Sequence, residues 1–424
     1  MKHPDRKHAP ATHPLPRLSC PVANSRKLSN GITFRTYSGG VQPVSMLSLI
    51  FQGGLECGND LAAKFALSQL TEGTRVHSGD EIAELIDFYG VRISPRFFTH
   101  HSQLDIYFLN DTATEVVDLV MEIITQPTFP ADRLQTARMR ALNAYRTART
   151  QMPTLASEEM QRLLYGSDHP GGKVTEEKDL EAITSEGCRE CFSRLLQPDT
   201  MTVALSGLLS DEIITMVADR MSTLKGMAQG YDIDNRKPQP IATPYIKNLN
   251  QSESFQAAVM MAIPTILRTN PDYNDLRLAV MALGGYFGSR LMKNIREDKG
   301  LTYGISAALN GTPDFAYIEI TATCDRSSTN RVISEIEAEM HDLVANPPSG
   351  DELKRLKLTA ESNLASFLDT PWEIMRYNLM PLLLGSPKDY FSAQQNAISN
   401  LSPERIAQVA AKYITPNRAI TVIA

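Results

Sequence analysis

The chain has 424 residues, with 42 Lys+Arg against 48 Asp+Glu and a formal net charge of −6. At roughly 150 residues per domain it holds two or three domains and a sizeable core, and its acidic balance argues against a general nucleic-acid binder. A hydrophobic content of 42% with five cysteines describes an ordered globular protein without a disulfide framework, in a reducing compartment.

Residues Met1 to Ser25 carry Pro4, Pro10, Pro14, Pro16 and Pro21, interleaved with His3, His8 and His13. The segment lacks the apolar stretch of a secretory signal, and its prolines forbid a targeting helix. Residues 1–27 are therefore expected to form a flexible leader. No run approaches the ~18 apolar residues of a membrane span. The expected location is the cytoplasm.

Order is predicted to begin near Leu28, where Asn30-Gly31 signals a two-residue hairpin turn. Val44 to Phe51 has the length and composition of a strand. Leu61–Leu70 and Glu81–Tyr89 follow as helices, the second closed by Gly90. Val91–Phe97 and Gln103–Leu109 are expected as strands. Thr112–Thr125, Asp132–Gln151 and Leu155–Tyr165 have helical periodicity.

The pattern then returns. Asp132-Arg133-Leu134 is matched by Asp351-Glu352-Leu353, and Leu164-Tyr165-Gly166-Ser167 by Leu383-Leu384-Gly385-Ser386, both 219 positions on. Gln197-Pro198-Asp199 is matched by Thr415-Pro416-Asn417 at 218. An offset held to one residue over such a stretch implies duplication of a whole α+β domain. Two copies are too few for a solenoid. The predicted organisation is an N-terminal domain over 28–224, a linker over 225–249 and a C-terminal domain over 250–424. Each domain is expected to be a mostly antiparallel sheet covered by helices on one face, the two facing each other across a cavity.

Several motifs carry a family resemblance over nearly the whole chain after Leu28. They are the helix Leu61–Leu70 followed by Gly73-Thr74 and the helix ending Tyr89-Gly90, then Asp168-His169-Pro170-Gly171, and Gly288-Ser289-Arg290-Leu291. The most specific is Arg296-Glu297-Asp298-Lys299-Gly300-Leu301-Thr302-Tyr303. In these the chain resembles the pitrilysin/insulinase metallopeptidases, above all the two-chain members of the mitochondrial-processing-peptidase type and their bacterial counterparts.

The resemblance implies a zinc site that this chain has lost. Active members carry H-x-x-E-H, in which two histidines on one helical face ligate Zn²⁺ and the glutamate is general base for the metal-bound water. Lys64 and Ser68 stand at the histidine positions, Leu67 at the base, and Ala144 at the third ligand. All four chemical positions are changed. Elsewhere His100-His101 opens a strand, where neighbours point to opposite faces, and His169 before Pro170 suits a turn. Cys188 and Cys191 form one C-x-x-C pair without the second pair that a structural zinc needs.

What the resemblance leaves in place is the pair Arg296 and Tyr303. In family terms the arginine donates to substrate carbonyls and the tyrosine hydroxyl stabilises the developing oxyanion. The alternative is a helix-capping arginine and a core-packing tyrosine. The expected function is thus a zinc-less, peptide-binding subunit, inactive alone. Its partner would be a zinc-bearing sister chain of similar length in a heterodimer, with zinc on the partner only. Two other readings stand beside it: a structural or assembly protein of the family, and a metallopeptidase with unrecognised ligands.

Overall fold

A computed structural model of the protein describes residues 16–54, 60–226, 230, 237–249 and 254–424. Extended apolar runs, buried almost throughout in the central strands, build the first sheet. Its strands are β1 (Asn24–Lys27), β2 (Thr33–Ser38), β3 (Val44–Gln52), β4 (Arg92–Phe97), β5 (His101–Leu109) and β6 (Thr202–Gly207), in the order β1-β2-β6-β3-β5-β4. All neighbours are antiparallel except β2 and β6, which run parallel. Between them lie helices α1 (Asp60–Ser68), α2 (Gly79–Phe88), α3 (Ala113–Thr125), α4 (Ala131–Ala148), α5 (Met152–Tyr165), α6 (Glu177–Glu181) and α7 (Ser185–Leu195), with α8 (Asp211–Ser222) after β6. Leu47, Leu49, Phe51, Leu104, Ile106 and Phe108 turn one face of the sheet to these helices and form the first core.

The second half repeats this plan. Its strands are β7 (Tyr245–Asn248), β8 (Gln256–Pro264), β9 (Thr302–Gly311), β10 (Ala316–Asp325) and β11 (Ile420–Ile423), in the order β7-β11-β8-β10-β9. As β2 and β6 do in the first sheet, β7 and β11 run parallel, and the other neighbours are antiparallel. The helices are α9 (Tyr273–Gly284), a π-helix over Met292–Asp298, α10 (Thr329–Ala345), α11 (Gly350–Ala365), α12 (Pro371–Leu384), α13 (Tyr390–Ser399) and α14 (Pro403–Tyr413). The shared strand order and the shared parallel pair are the structural counterpart of the sequence repeat.

The second face of each sheet also receives one helix of the opposite half. Helix α12 packs on β6 and β2, placing Met375 and Leu379 against Ile50 and Ala204. Helix α5 packs on β8 and β11, placing Ala156, Met160 and Leu164 against Ala258, Met260, Ala262 and Val422. These two helices are the repeat copies that end in Tyr165-Gly166 and Leu384-Gly385. The halves have exchanged equivalent helices.

The leader and linker are also tighter than expected where they are described. Residues 1–15 lie outside the described residues, but Pro16–Ala23 runs along the second half. The Gln395 amide donates to the Leu18 carbonyl at 3.0 Å and accepts from the Leu18 N–H at 2.8 Å. Asn378 accepts from the Ala23 N–H and donates to the Pro21 carbonyl, both at 2.9 Å. The Asn30-Gly31 turn is longer than two residues: Leu28 N–H donates to Ile32 at 2.9 Å and Gly31 N–H to Leu28 at 3.0 Å, with Gly31 at φ +93°. Within the predicted linker, 227–229 and 231–236 lie outside the described residues, as do 250–253 at the expected start of the second domain. Tyr245–Asn248 is strand β7, held by its parallel pairing to β11.

The tips of the two edge hairpins meet. His100 Nε2 lies 3.1 Å from Asp314 Oδ1, and this bond holds the Asp314 carboxyl down at about 2. A depressed carboxylate stabilises the fold above its ordinary range and loses that contribution as pH falls through the shifted value. Asp314→Asn is therefore expected to flatten the loss of stability between about pH 4 and pH 2. Urea unfolding across that window checks it, and an unchanged acid limb would contradict it.

Candidate functional site

Helix α1 presents Lys64 and Ser68, four residues apart, on its exposed side. The Ser68 hydroxyl donates back to the Phe65 carbonyl at 2.9 Å. Leu67, which the resemblance sets at the general-base position, is 3% exposed and belongs to the first core. Ala144 sits exposed on α4. Among the described residues, no three His, Cys, Asp or Glu side chains are grouped to hold a metal ion.

The other candidates have structural partners. His100 joins Asp314, while His101 stacks on Phe98 at 4.4 Å between ring centres. Burial and the neighbouring His100 push His101 down to about 4, leaving it neutral at physiological pH. His169 Nδ1 accepts the Gly171 N–H at 2.9 Å, and its ring stacks on Tyr165. Cys188 and Cys191 are both buried on α7, and burial pushes the Cys188 thiol up to about 12. An un-ionised thiol is a poor nucleophile and a poor ligand.

Arg296 and Tyr303 sit on three successive backbone irregularities. Arg296 lies in the π-helix, where the Lys299 N–H donates to the Asn294 carbonyl at 3.0 Å, an i to i−5 bond. Its guanidinium lies over the exposed Phe287 ring, 5.3 Å from the centroid. Buried Ile295 holds the opposite side of the turn. Asn294 donates to Glu339 on α10 at 2.8 Å, and Lys299 pairs with Glu335. Gly300 then reverses the chain at φ +59°, a conformation that favours glycine.

The third irregularity is a β-bulge. Cys324 on β10 pairs with Thr302 and Thr323 pairs with Gly304, so Tyr303 is left without a cross-strand partner. Its ring is 88% exposed. The core-packing alternative for this tyrosine is thereby excluded. π-helices and bulges concentrate at functional sites, where they aim a side chain that regular structure would bury. Upstream, Gly284 allows α9 to approach β9: a Cβ there would stand 2.6 Å from the Ala307 Cβ.

Two cavities have walls from both halves, and the first of them flanks this region. One of about 570 Å³ lies beneath the first turn of α5, between Pro153 and Ser157 on one side and Gly304, Ser306 and Thr321 on the other. Another, of about 300 Å³, lies between Thr202 and His101 of the first half and Pro313 and Leu383 of the second. Periodicity and spacing locate the residues of the site but not the π-helix or the bulge. The flanking Gly300 and Gly304 are the sequence signals for both.

Two repeated α+β units with exchanged helices define the fold. Residues 182–359 match the sequence model of the Peptidase M16 inactive domain. A Bacillus subtilis protein named uncharacterized zinc protease YmxG is 22% identical over 358 residues, 83% of this chain and 85% of that protein. A Helicobacter pylori protein named non-peptidase homolog YmxG is 22% identical over 382 residues, 86% of this chain and 85% of its own. Among solved structures, a peptidase M16 inactive domain from Pseudomonas fluorescens aligns with TM-score 0.83 at 22% identity, over 95% of this chain and 97% of that one. That likeness shows the fold. Residues 182–359 are thus similar to the Peptidase M16 inactive domain, and the chain along most of its length to the two YmxG proteins. Among the described residues no helix is long and apolar enough to cross a membrane.

Proposed function

We propose that the chain is the zinc-less, substrate-contacting member of a two-chain peptidase, paired in the cytoplasm with a zinc-bearing sister chain of similar length. The observation that carries this reading is an asymmetry. The metal positions are lost, with Leu67 turned into the core, while Tyr303 is held outward on a bulge beside the Arg296 π-helix. Arg296 would hold substrate carbonyls, and the Tyr303 hydroxyl would face the oxyanion formed at the partner's zinc.

An extended peptide adds to a sheet edge through main-chain hydrogen bonds. The edge strands are β1 and β4 of the first sheet and β7 and β9 of the second, and of these β1 and β7 are only four residues long. On β4 the Phe98 N–H donates to the His101 carbonyl, so by alternation Arg96 faces β5 and Pro95 faces the free edge. Proline there removes a donor from that edge. Strand β9, which starts beside Tyr303 and has no proline, is the better edge for a peptide.

A second reading, an assembly protein without a peptidase partner, draws support from the printed name of the Helicobacter relative, which calls that protein a non-peptidase. Affinity capture of the tagged chain from its own cells separates the two. The peptidase reading expects a co-purifying chain with H-x-x-E-H and a complex whose hydrolysis of unfolded peptides is stopped by chelators. Capture of unrelated assembly components alone would replace it with the second reading.

The isolated chain is expected to contain no stoichiometric zinc and to cleave no peptide. Metal emission spectroscopy giving about one zinc per chain, with chelator-sensitive proteolysis, would refute this. Lys64→His, Ser68→His and Ala144→Glu alter exposed positions and should fold. Adding Leu67→Glu buries a carboxylate in the core and should destabilise the chain sharply.

A further inference from the structure

We infer that Thr302 is the positioning residue for Tyr303, its hydroxyl building the bulge that turns the tyrosine outward. The inference rests on the proposed substrate-contacting role of Tyr303. Thr302 is 8% exposed, so its hydroxyl cannot rely on bulk water. Its single proton has the Thr323 carbonyl at 2.6 Å and the Gly304 carbonyl at 2.8 Å as acceptors, and its oxygen accepts the Gly304 N–H at 3.1 Å. These main-chain groups belong to the residues that flank the register shift on both strands.

The physics of a bulge explains why a side chain is needed. An extra residue on one strand breaks the local ladder and leaves backbone donors and acceptors without cross-strand partners. Such groups are costly when buried. A threonine hydroxyl, donor and acceptor at once, replaces the missing ladder bonds and keeps the irregular register in place. Without it, the strand gains by moving toward regular pairing, and a change of register re-aims every side chain along it. Gly304 completes the device, since a Cβ at that position would meet nothing within 4 Å and the chain there opens onto the 570 Å³ cavity.

Thr302→Val keeps the shape and deletes the hydroxyl, while Thr302→Ser keeps the hydroxyl. In the isolated chain, Thr302→Val is expected to speed hydrogen exchange at the Gly304 amide and to change the reactivity of the Tyr303 ring toward nitration, read by mass spectrometry. Thr302→Ser should leave both unchanged. In the complex with its zinc-bearing partner, Thr302→Val should lower kcat by up to about 10²-fold with little change in KM, the effect of misplacing a catalytic contact by an ångström or so. Adding Tyr303→Phe should then lower kcat little further.

Unchanged Gly304 exchange and Tyr303 reactivity in Thr302→Val would overturn the inference. So would loss of either in Thr302→Ser, which also decides the matter should the valine variant fail to fold. If Tyr303→Phe lowers turnover but Thr302→Val does not, the positioning role falls and the function stands. If neither lowers turnover, the function and the positioning role fall together.

Discussion

Tyr303→Phe is expected to lower kcat about 10²-fold in the two-chain complex while leaving KM within about twofold, a loss of about 2.7 kcal/mol in transition-state stabilisation. The hydroxyl acts only as negative charge develops, so its removal belongs to kcat rather than to ground-state binding. Tyr303 has no cross-strand partner and is almost fully exposed, so the change should cost the fold little. Arg296→Ala should lower kcat and also raise KM, because in the proposed role the arginine would hold substrate carbonyls in the ground state as well. Its neighbour Phe287 is already 68% exposed, so loss of their stacking leaves a surface ring rather than a cavity. Steady-state kinetics on the two variants with an unfolded peptide is the check. Wild-type kcat and KM in both would remove this chain from the substrate-contacting role.

The parts of the fold that were legible in the sequence follow from local rules. Helical period places Lys64 and Ser68 on one face of α1, and the structure exposes both. A constant offset of 218 or 219 residues marks the repeat, and the five strands of the second sheet match β2, β6, β3, β5 and β4 of the first. What was not legible depends on partners distant in sequence. Strand β7 has four residues, too few for alternation to register, and its identity comes from pairing with β11. Pro16–Ala23 looks like loose chain until the amides of Asn378 and Gln395 are placed beside its backbone. The bulge at Tyr303 is a matter of register, and one hydroxyl on Thr302 bonds across it.

The exchange of α5 and α12 carries the largest expected effect on stability. An amphipathic helix reports that it must be buried, but not against which sheet. Here each half supplies the helix that covers part of the other's second sheet face, so neither half contains all of its own cover. Chains cut between 226 and 237 are therefore expected not to fold as separate halves, each exposing the apolar patch that the missing helix covered. Co-expressed halves should reassociate and unfold together. Within the intact chain, Met375→Ala removes a fully buried side chain from α12 where it meets Ile50 and Ala204. Such a truncation costs about 2–5 kcal/mol, a large share of the roughly 5–15 kcal/mol that holds a typical domain. Urea unfolding followed separately by probes in each half checks the coupling. With exchanged helices, Met375→Ala should lower the midpoint reported from both halves together, because destabilising α12 withdraws cover from the first sheet and an anchor from the second half. A first half that unfolds cooperatively on its own at the wild-type midpoint would show that α12 contributes nothing essential to it.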